Sequence, residues 1–384
     1  MKPKFFITTT VARTLSFFQG QPQLWKTDFE VTAIAAEEDK LKAFAQSEGI
    51  NYEYIPMHRE ISVFSDLCCL FSFLALFIKE RPTVVHGNTP KASVLSMLAA
   101  WITRRPIRIY MCHGLRYQTT SGPLQRVLKS MEWISCHCAT RVIAVTQGVA
   151  NQLVADGLCD HNKIMVIGHG SAGGIDINKF SRAELQGSIQ NIRKDLGIPA
   201  EDFVFCFVGR IVKDKGINEL VEAFDKLSKE YVKLHLMLIG SEEGESDPIS
   251  DITKKLIESH HRIYFLGRQN DVRPYIAASN ALVLPSYREG FGQVILEANA
   301  LEVPCIATDI IGPRDVIEPL VNGELVKVRN LDSLYQKMKE WVDSPLLVKD
   351  MGKTSRTFVE SRFAQDIVRN NYYQEYRRLV KLQD

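Results

Sequence analysis

The chain has 384 residues, more than one ordinary domain, and its length sets an expectation of about two. It is 45% hydrophobic and 24% charged, the balance of an ordinary globular protein. A formal net charge of +2 excludes a nucleic-acid binder that works by bulk charge, so no nucleic acid is expected as a partner.

Along the chain, apolar runs alternate with helical patterns. Strands are expected at 4–9, 29–34, 83–86, 107–112, 141–145 and 164–167, with helices between them, among them 39–48, 66–79 and 91–102. The polar stretch 178–199 reads as a linker with a short helix over 189–196. The alternation then restarts: strands at 203–208, 234–239, 263–266, 281–284 and 305–307, helices at 217–231, 251–259 and 292–300. Strand–helix alternation of this kind builds a parallel sheet covered by helices. Two such series predict an α/β protein of two Rossmann-like domains facing across a cleft, residues 1–184 and 185–363. A terminal helix over about 364–384 packs back on the first domain in this scheme. Doubly wound domains bind ligands beyond the carboxyl ends of their strands, so one domain is expected to hold each of two substrates.

Two features are left ambiguous by composition. From Lys79 to Arg141 there are ten basic and two acidic residues. That excess is either a solvated face or an attraction to anionic lipid or a phosphorylated acceptor. The run Leu67–Ile78, LCCLFSFLALFI, is too short to span a bilayer and reads as a core helix ahead of an interfacial one. The eight cysteines sit mostly in apolar runs, as in a reducing compartment. Cys136-His137-Cys138 lacks the spacing of a structural metal site. The start Met1-Lys2-Pro3-Lys4 enters a strand without the pattern of a signal peptide, so a cytoplasmic location is expected.

The chemistry concentrates in the second half. In Phe207–Gly216, FVGRIVKDKG, the expected strand ends at Val208, Gly209 permits a turn, and Arg210 and Lys215 follow. Above a strand end these two cations suit a diphosphate, although an exposed basic turn has the same composition. In Pro285–Ala300, PSYREGFGQVILEANA, Gly290 and Gly292 bracket a turn into a helix. Backbone N–H groups of Phe291, Gly292, Gln293 and Val294 at that helix start form an anion site. Glu289 in the loop is placed to reach sugar hydroxyls. Glu297, two turns into an otherwise apolar helix, is placed to accept both hydroxyls of a ribose.

Glu289 and Glu297 eight positions apart, with Gly209-Arg210 and Lys215 upstream, resemble the retaining glycosyltransferases of family four, which have the GT-B fold. The resemblance covers nearly the whole chain. VVHGNTPKA (84–92), CHGLRY (112–117) and GHGSAGGIDINKF (168–180) are more locally similar to bacterial enzymes that build capsule or O-antigen repeats. The resemblance implies that Arg210 and Lys215 stabilise the leaving diphosphate, that Glu289 holds the donor sugar and Glu297 the ribose. It also implies that His113 faces the donor sugar and that Gly267 and Arg268 lie near the base. Members mostly use UDP-sugars and need no metal, so neither metal nor other cofactor is expected. An acceptor attacking from the leaving-group face retains configuration, with His113 as a base or only as an orienting group.

One segment departs from the family pattern. Where many relatives have Gly-Gly after the first strand, this chain reads TTTVARTLSFFQGQP, 8–22. Thr9, Thr10 and Arg13 are therefore assigned either to the diphosphate or to the acceptor. His86, Asn88, Lys91 and Arg116 are candidate acceptor contacts, with a capped strand end as the plain alternative for His86. The acceptor expected from the resemblance is a saccharide on a lipid diphosphate, met at the inner face of the cell membrane, with the anionic membrane surface as a partner. Two other readings share the architecture: a UDP-sugar epimerase and a non-catalytic sugar-nucleotide-binding module.

Overall fold

A computed structural model describes residues 2–58, 60, 62–242 and 247–382. The chain divides into two compact units, Met1–Gly174 with Asp366–Asp384, and Ile175–Gln365. The last two residues of the expected terminal helix lie outside the described ones.

The first unit is built on seven strands: β1 (Lys4–Val11), β2 (Glu30–Ala36), β3 (Asn51–Tyr54), β4 (Val84–Gly87), β5 (Ile107–Cys112), β6 (Arg141–Ala144) and β7 (Ile164–Met165). They pair in the order β3-β2-β1-β4-β5-β6-β7, every pair parallel. Its helices are α1 (Gln21–Trp25), α2 (Glu38–Glu48), α3 (Val63–Glu80), α4 (Pro90–Ile102), α5 (Gly122–Cys138) and α6 (Gln147–Ala155). The central strands are buried on both faces, which is why they read as unbroken apolar runs.

The second unit has six strands: β8 (Phe203–Val208), β9 (Leu234–Ile239), β10 (Ile263–Phe265), β11 (Ala281–Leu284), β12 (Cys305–Thr308) and β13 (Gly323–Val326). Their order is β10-β9-β8-β11-β12-β13, again all parallel. Its helices are α7 (Gln186–Asp195), α8 (Ile217–Glu230), α9 (Asp251–Ser259), α10 (Arg273–Ala277), α11 (Gln293–Ala300), α12 (Pro313–Val316), α13 (Leu331–Asp343) and α14 (Pro345–Phe363). Helix α8 shows why the pattern was readable: Ile217, Leu220, Val221, Phe224 and Leu227 form one buried stripe.

Helix α15 (Gln365–Lys381) closes the first unit. Val368, Tyr372, Tyr376 and Leu379 are its buried face. The Tyr376 ring lies 5.1 Å from Phe5 and 5.2 Å from Trp25, and the Tyr372 hydroxyl donates to the Ser171 carbonyl at 2.7 Å.

Three expectations are revised. The stretch 178–199 is no linker. It belongs to the second unit, where the Arg193 guanidinium donates to the carbonyls of Ala278, Pro199 and Asp202 and to Asn280 Oδ1. The division falls instead at Gly174, after a run in which Gly168, Gly170 and Gly174 all have positive φ. Helix α3 is only half a core helix: Cys69, Phe73 and Phe77 are buried, but Val63, Phe64, Leu67, Phe71 and Ile78 are exposed. No helix among the described residues is long and apolar enough to cross a membrane. The basic stretch is also partly spent internally. Lys91 is buried, and Arg105 and Arg108 turn onto the carbonyls of Thr103 and Cys138. Lys79, Arg81, Arg104, Arg116 and Arg126 remain exposed.

Candidate active site

Each unit carries one cluster of polar residues at the carboxyl edge of its sheet. In the second unit β8 lies between β9 and β11, so the connections leave it in opposite directions. That is the switch point where parallel sheets open a crevice for ligands. Gly209 and Arg210 follow β8, the loop Pro285–Gly292 follows β11, and Gly267 and Arg268 follow β10 on the same edge.

A turn over Lys213–Lys215 leads into α8, and its last cap is Gly216 at φ +69°. A Cβ there would lie 2.1 Å from the Pro285 carbonyl oxygen, so only glycine lets this turn sit against the β11 loop. The close approach brings Lys215 Nζ to 2.5 Å from Glu289 Oε1, with both side chains about five-sixths buried at 16% and 15% exposure. Beside this pair Arg288 meets Asp214 at 3.3 Å, and the Tyr287 backbone N–H donates to the Asp214 carbonyl at 2.8 Å. The Tyr287 hydroxyl donates to Glu219 Oε1 at 2.5 Å, and the Arg329 guanidinium lies 4.5 Å from the centre of the Tyr287 ring. The Lys215 and Glu289 loops are thus braced by a second layer of ion pairs and hydrogen bonds.

After Glu289 the chain passes Gly290 and a buried Phe291, whose ring meets Phe363 at 5.7 Å, and enters α11 through Gly292 at φ +86°. Gln293 and Val294, part-buried, form the first turn of α11. Gly312 supports the loop from β12: its Cβ position lies 3.2 Å from Glu289 Cβ. Glu297 is part-buried on α11, and burial pushes its carboxyl up to about 7 against the pull of Lys179. Among the described residues no donor hydrogen-bonds this carboxylate. A largely desolvated carboxylate without a protein partner is costly, and a ligand that donates hydroxyls removes the cost.

In the first unit the cluster lies at the ends of β1, β4 and β5. Thr89 sits at φ +66°, ψ 140°, a conformation that β-branched residues avoid and that costs on the order of 1–3 kcal/mol. It is held there by Thr10, whose N–H donates to Thr89 Oγ1 at 3.0 Å and whose hydroxyl lies 2.8 Å from the same atom. Thr10 Oγ1 also accepts from the Ala92 N–H at 3.3 Å, so it caps α4 across the strands. Asn88, fully buried, donates to His86 Nδ1 at 2.9 Å and lies 3.2 Å from His113 Nε2. His86 Nε2 is 2.9 Å from the Tyr376 hydroxyl. Burial drives His86 down to about 3, with the neighbouring His113 adding to it, and drives His113 down to about 4. His113 is part-exposed and stacks on Phe17, ring centres 5.8 Å apart.

Several candidate acceptor contacts are committed elsewhere. Lys91 Nζ binds Asp66 Oδ1 at 2.6 Å and the Glu60 carbonyl, which ties α4 to the first turn of α3 and leaves no open ammonium for an acceptor. His86 is enclosed by Asn88, Phe5, Phe18 and Tyr376. Thr9 is buried, with its hydroxyl on the Val11 carbonyl. Arg13 and Arg116 are exposed. Among the described residues no group of three or more His, Cys, Asp or Glu side chains is placed to hold a metal ion. Sequence reading overlooked Gly216, Gly312, Asp214, Phe17 and Tyr376. Gly216, directly after Lys215 at a helix start, was the one with a local signal. The others act through contacts distant in sequence.

Known proteins resemble both units of the chain. A family profile described as "Glycosyltransferase Family 4" matches residues 22–171, and one described as "Glycosyl transferases group 1" matches 188–358. The chain is 33% identical to the capsular polysaccharide biosynthesis glycosyltransferase CapM of Staphylococcus aureus, covering 98% of each. It is 26% identical to the UDP-Gal:alpha-D-GlcNAc-diphosphoundecaprenol alpha-1,3-galactosyltransferase of Escherichia coli, over 87% of this chain and 85% of that one. The crystal structure of Anabaena HepE in complex with UDP superposes with a TM-score of 0.79 at 20% identity, covering 98% of this chain and 99% of that one.

Proposed function

This chain belongs to glycosyltransferase family 4, with the two Rossmann-like domains of the GT-B fold, and we propose that it moves a sugar from a UDP-sugar to a saccharide on a lipid diphosphate. The product would enter a surface polysaccharide. Glu297 carries the reading: a part-buried carboxylate midway along α11 with no hydrogen-bond donor among the described residues, suited to two ribose hydroxyls. UDP is favoured because the E. coli relative is named for UDP-Gal and the Anabaena structure contains UDP. The diphosphoundecaprenol in the E. coli name supports the lipid diphosphate.

The mechanism follows from where charge develops. As the bond to the anomeric carbon breaks, negative charge builds on the departing diphosphate. Arg210, Lys215 and the first turn of α11, around Gly290, Phe291, Gly292, Gln293 and Val294, are preorganised to stabilise it. Losing one such contact costs about 3–4 kcal/mol of transition-state stabilisation. Before the donor binds, Lys215 and Glu289 hold each other in place. An arriving phosphate takes over Lys215, and Glu289 is released to accept from sugar hydroxyls. Gly267 and Arg268 lie along the base. His113 serves a sugar hydroxyl, the departing phosphate takes the acceptor proton, and configuration is retained without a metal. The acceptor is assigned to the first unit, beside the exposed Arg13 and Arg116.

The acceptor sits in a bilayer, and α3 supplies a matching surface. Its exposed Val63, Phe64, Leu67, Phe71 and Ile78 share one helical face, and α5, which packs with α3 on α4, exposes Leu124 and Val127. With the exposed Lys79, Arg81, Arg104 and Arg126 nearby in sequence, this face fits an anionic bilayer and a peripheral location at the inner face of the membrane. The test of function is UDP release from UDP-sugars with and without N-acetylglucosaminyl-diphospho-undecaprenol or related lipid-linked saccharides. Release that requires a lipid-linked saccharide supports transfer. Isomerised UDP-sugar without any acceptor would establish the epimerase, and binding without turnover the non-catalytic module.

A further inference from the structure

Four buried or part-buried residues of the first unit form a continuous hydrogen-bonded chain: Tyr376 on α15, His86 at the end of β4, Asn88 just beyond it, and His113 just beyond β5. The direction of every bond in it is fixed by one residue. The Asn88 amide nitrogen lies 3.3 Å from the Thr8 carbonyl and 3.4 Å from the His86 carbonyl. Backbone carbonyls only accept, so the edge facing them must be the NH2 group. The same NH2 group faces His86 Nδ1 at 2.9 Å, so that nitrogen carries the lone pair and His86 Nε2 carries the proton, donated to the Tyr376 hydroxyl. The opposite edge of Asn88, Oδ1, can only accept, and it faces His113 Nε2 at 3.2 Å. His113 Nε2 therefore holds the proton, and its Nδ1 holds the lone pair. Among the described residues nothing hydrogen-bonds Nδ1, and His113 is part-exposed beside Phe17.

From this geometry we infer that Asn88, His86 and Tyr376 are positioning residues that lock His113 in the Nε2–H tautomer, so that Nδ1 is a fixed hydrogen-bond acceptor for a hydroxyl of a sugar substrate. The inference rests on the proposed transferase activity and specifies how His113 serves it. The strained Thr89, pinned by Thr10, sets the backbone next to Asn88. The terminal helix is part of the device, because Tyr376 accepts the proton that keeps His86 Nδ1 open to Asn88. A ring held this way accepts from a hydroxyl and cannot donate to one, so it selects substrates that place an O–H there. The hydroxyl belongs to the donor sugar or to the acceptor saccharide.

The test is ring-nitrogen NMR of the full-length protein with 15N-labelled histidine, His113 being assigned by its loss in H113Q. The wild type should show a protonated Nε2 and an unprotonated Nδ1 at residue 113. A proton on Nδ1 would overturn the inference whatever the substrate. Added UDP should leave the Nδ1 signal in place. It should move with whichever of UDP-glucose, UDP-galactose and their N-acetylated forms displaces UDP best, which assigns the donor, or with methyl N-acetyl-α-glucosaminide, which assigns the acceptor. An Nδ1 signal unmoved by all of these, while a UDP-sugar is shown by calorimetry to bind, would overturn the sugar contact. If no UDP-sugar binds, the donor-site reading fails separately and the tautomer still stands or falls by its own signal. Asn88→Ala should release the tautomer and lower kcat roughly tenfold or more with KM for the UDP-sugar little changed, by analogy with the ten- to hundredfold typical when a group orienting a metal-bound histidine is lost. Persistence of the signature in Asn88→Ala would count against the chain.

Discussion

Among the described residues no donor hydrogen-bonds Glu297, and burial lifts its carboxyl to about 7. Two hydroxyls donating to both of its oxygens favour the ionised form, so UDP held there by its ribose would draw the pKa back down. UDP affinity should therefore rise with pH from 6 to 8, falling about tenfold per unit on the acid side, and binding near pH 7 should release a proton. Calorimetry in two buffers of different ionisation heat measures that proton directly. Glu297→Gln should remove both effects and weaken binding at pH 8. Glu297→Ala should weaken UDP binding, whereas Glu289→Ala should mainly lower turnover. Equal losses of UDP affinity in both variants would contradict that division. A second carboxyl works on stability alone. Glu132, buried on α5 against the Tyr110 hydroxyl, is raised from near 4.5 to about 7 by burial. A carboxyl raised in the folded state holds its proton there longer than in the unfolded chain, so stability declines as pH climbs from about 4.5 through 7. The loss at pH 8 is on the order of 3 kcal/mol. Glu132→Gln should raise Tm at pH 8 and leave it nearly unchanged at pH 4.5, as a thermal melt series would show.

At the scale of elements, the turn into α8 and the outer face of α3 carry separate predictions. Gly216→Ala forces a Cβ onto the Pro285 carbonyl at a positive φ, so Lys215 must move away from Glu289. The expected result is a loss of about 1–3 kcal/mol in chemical denaturation together with weaker UDP binding. Phe64→Ser with Phe71→Ser should leave UDP binding intact but reduce flotation with phosphatidylglycerol vesicles. Flotation equal to wild type, or equal binding to phosphatidylcholine, would remove α3 as the docking face. The same elements show what was legible. Central strands such as β8 and β9 were readable to the residue because both faces are buried and the runs are continuously apolar. The sheet edges were not. β3, NYEY, is largely exposed, β13, GELV, is half-buried, and β7 holds only two residues of an expected four. An edge strand is paired on one side only, so its sequence need not be apolar. Around the candidate site, the turn that carries Lys215 and the helix start after Glu289 were legible because each has a local glycine signal. Lys91 misled because its partner Asp66 lies twenty-five residues earlier, and the Tyr376–His86 contact spans most of the chain.

For the whole molecule, the two sheets are built alike and carry unlike clusters at their carboxyl edges. The second unit offers cations, a helix start and a carboxylate in need of donors. The first offers a neutral, hydrogen-bonded chain ending at His113. A charged nucleotide suits the cluster of the second unit, and uncharged sugar hydroxyls suit that of the first. The measurement that tests the central claim most directly is calorimetric titration of the full chain with UDP, GDP and ADP, on wild type and Lys215→Ala. The account predicts that UDP binds well above the other two and that Lys215→Ala weakens it by tenfold or more, about 1.4 kcal/mol per factor of ten. Equal binding of all three nucleotides, or UDP binding untouched by Lys215→Ala, would contradict it.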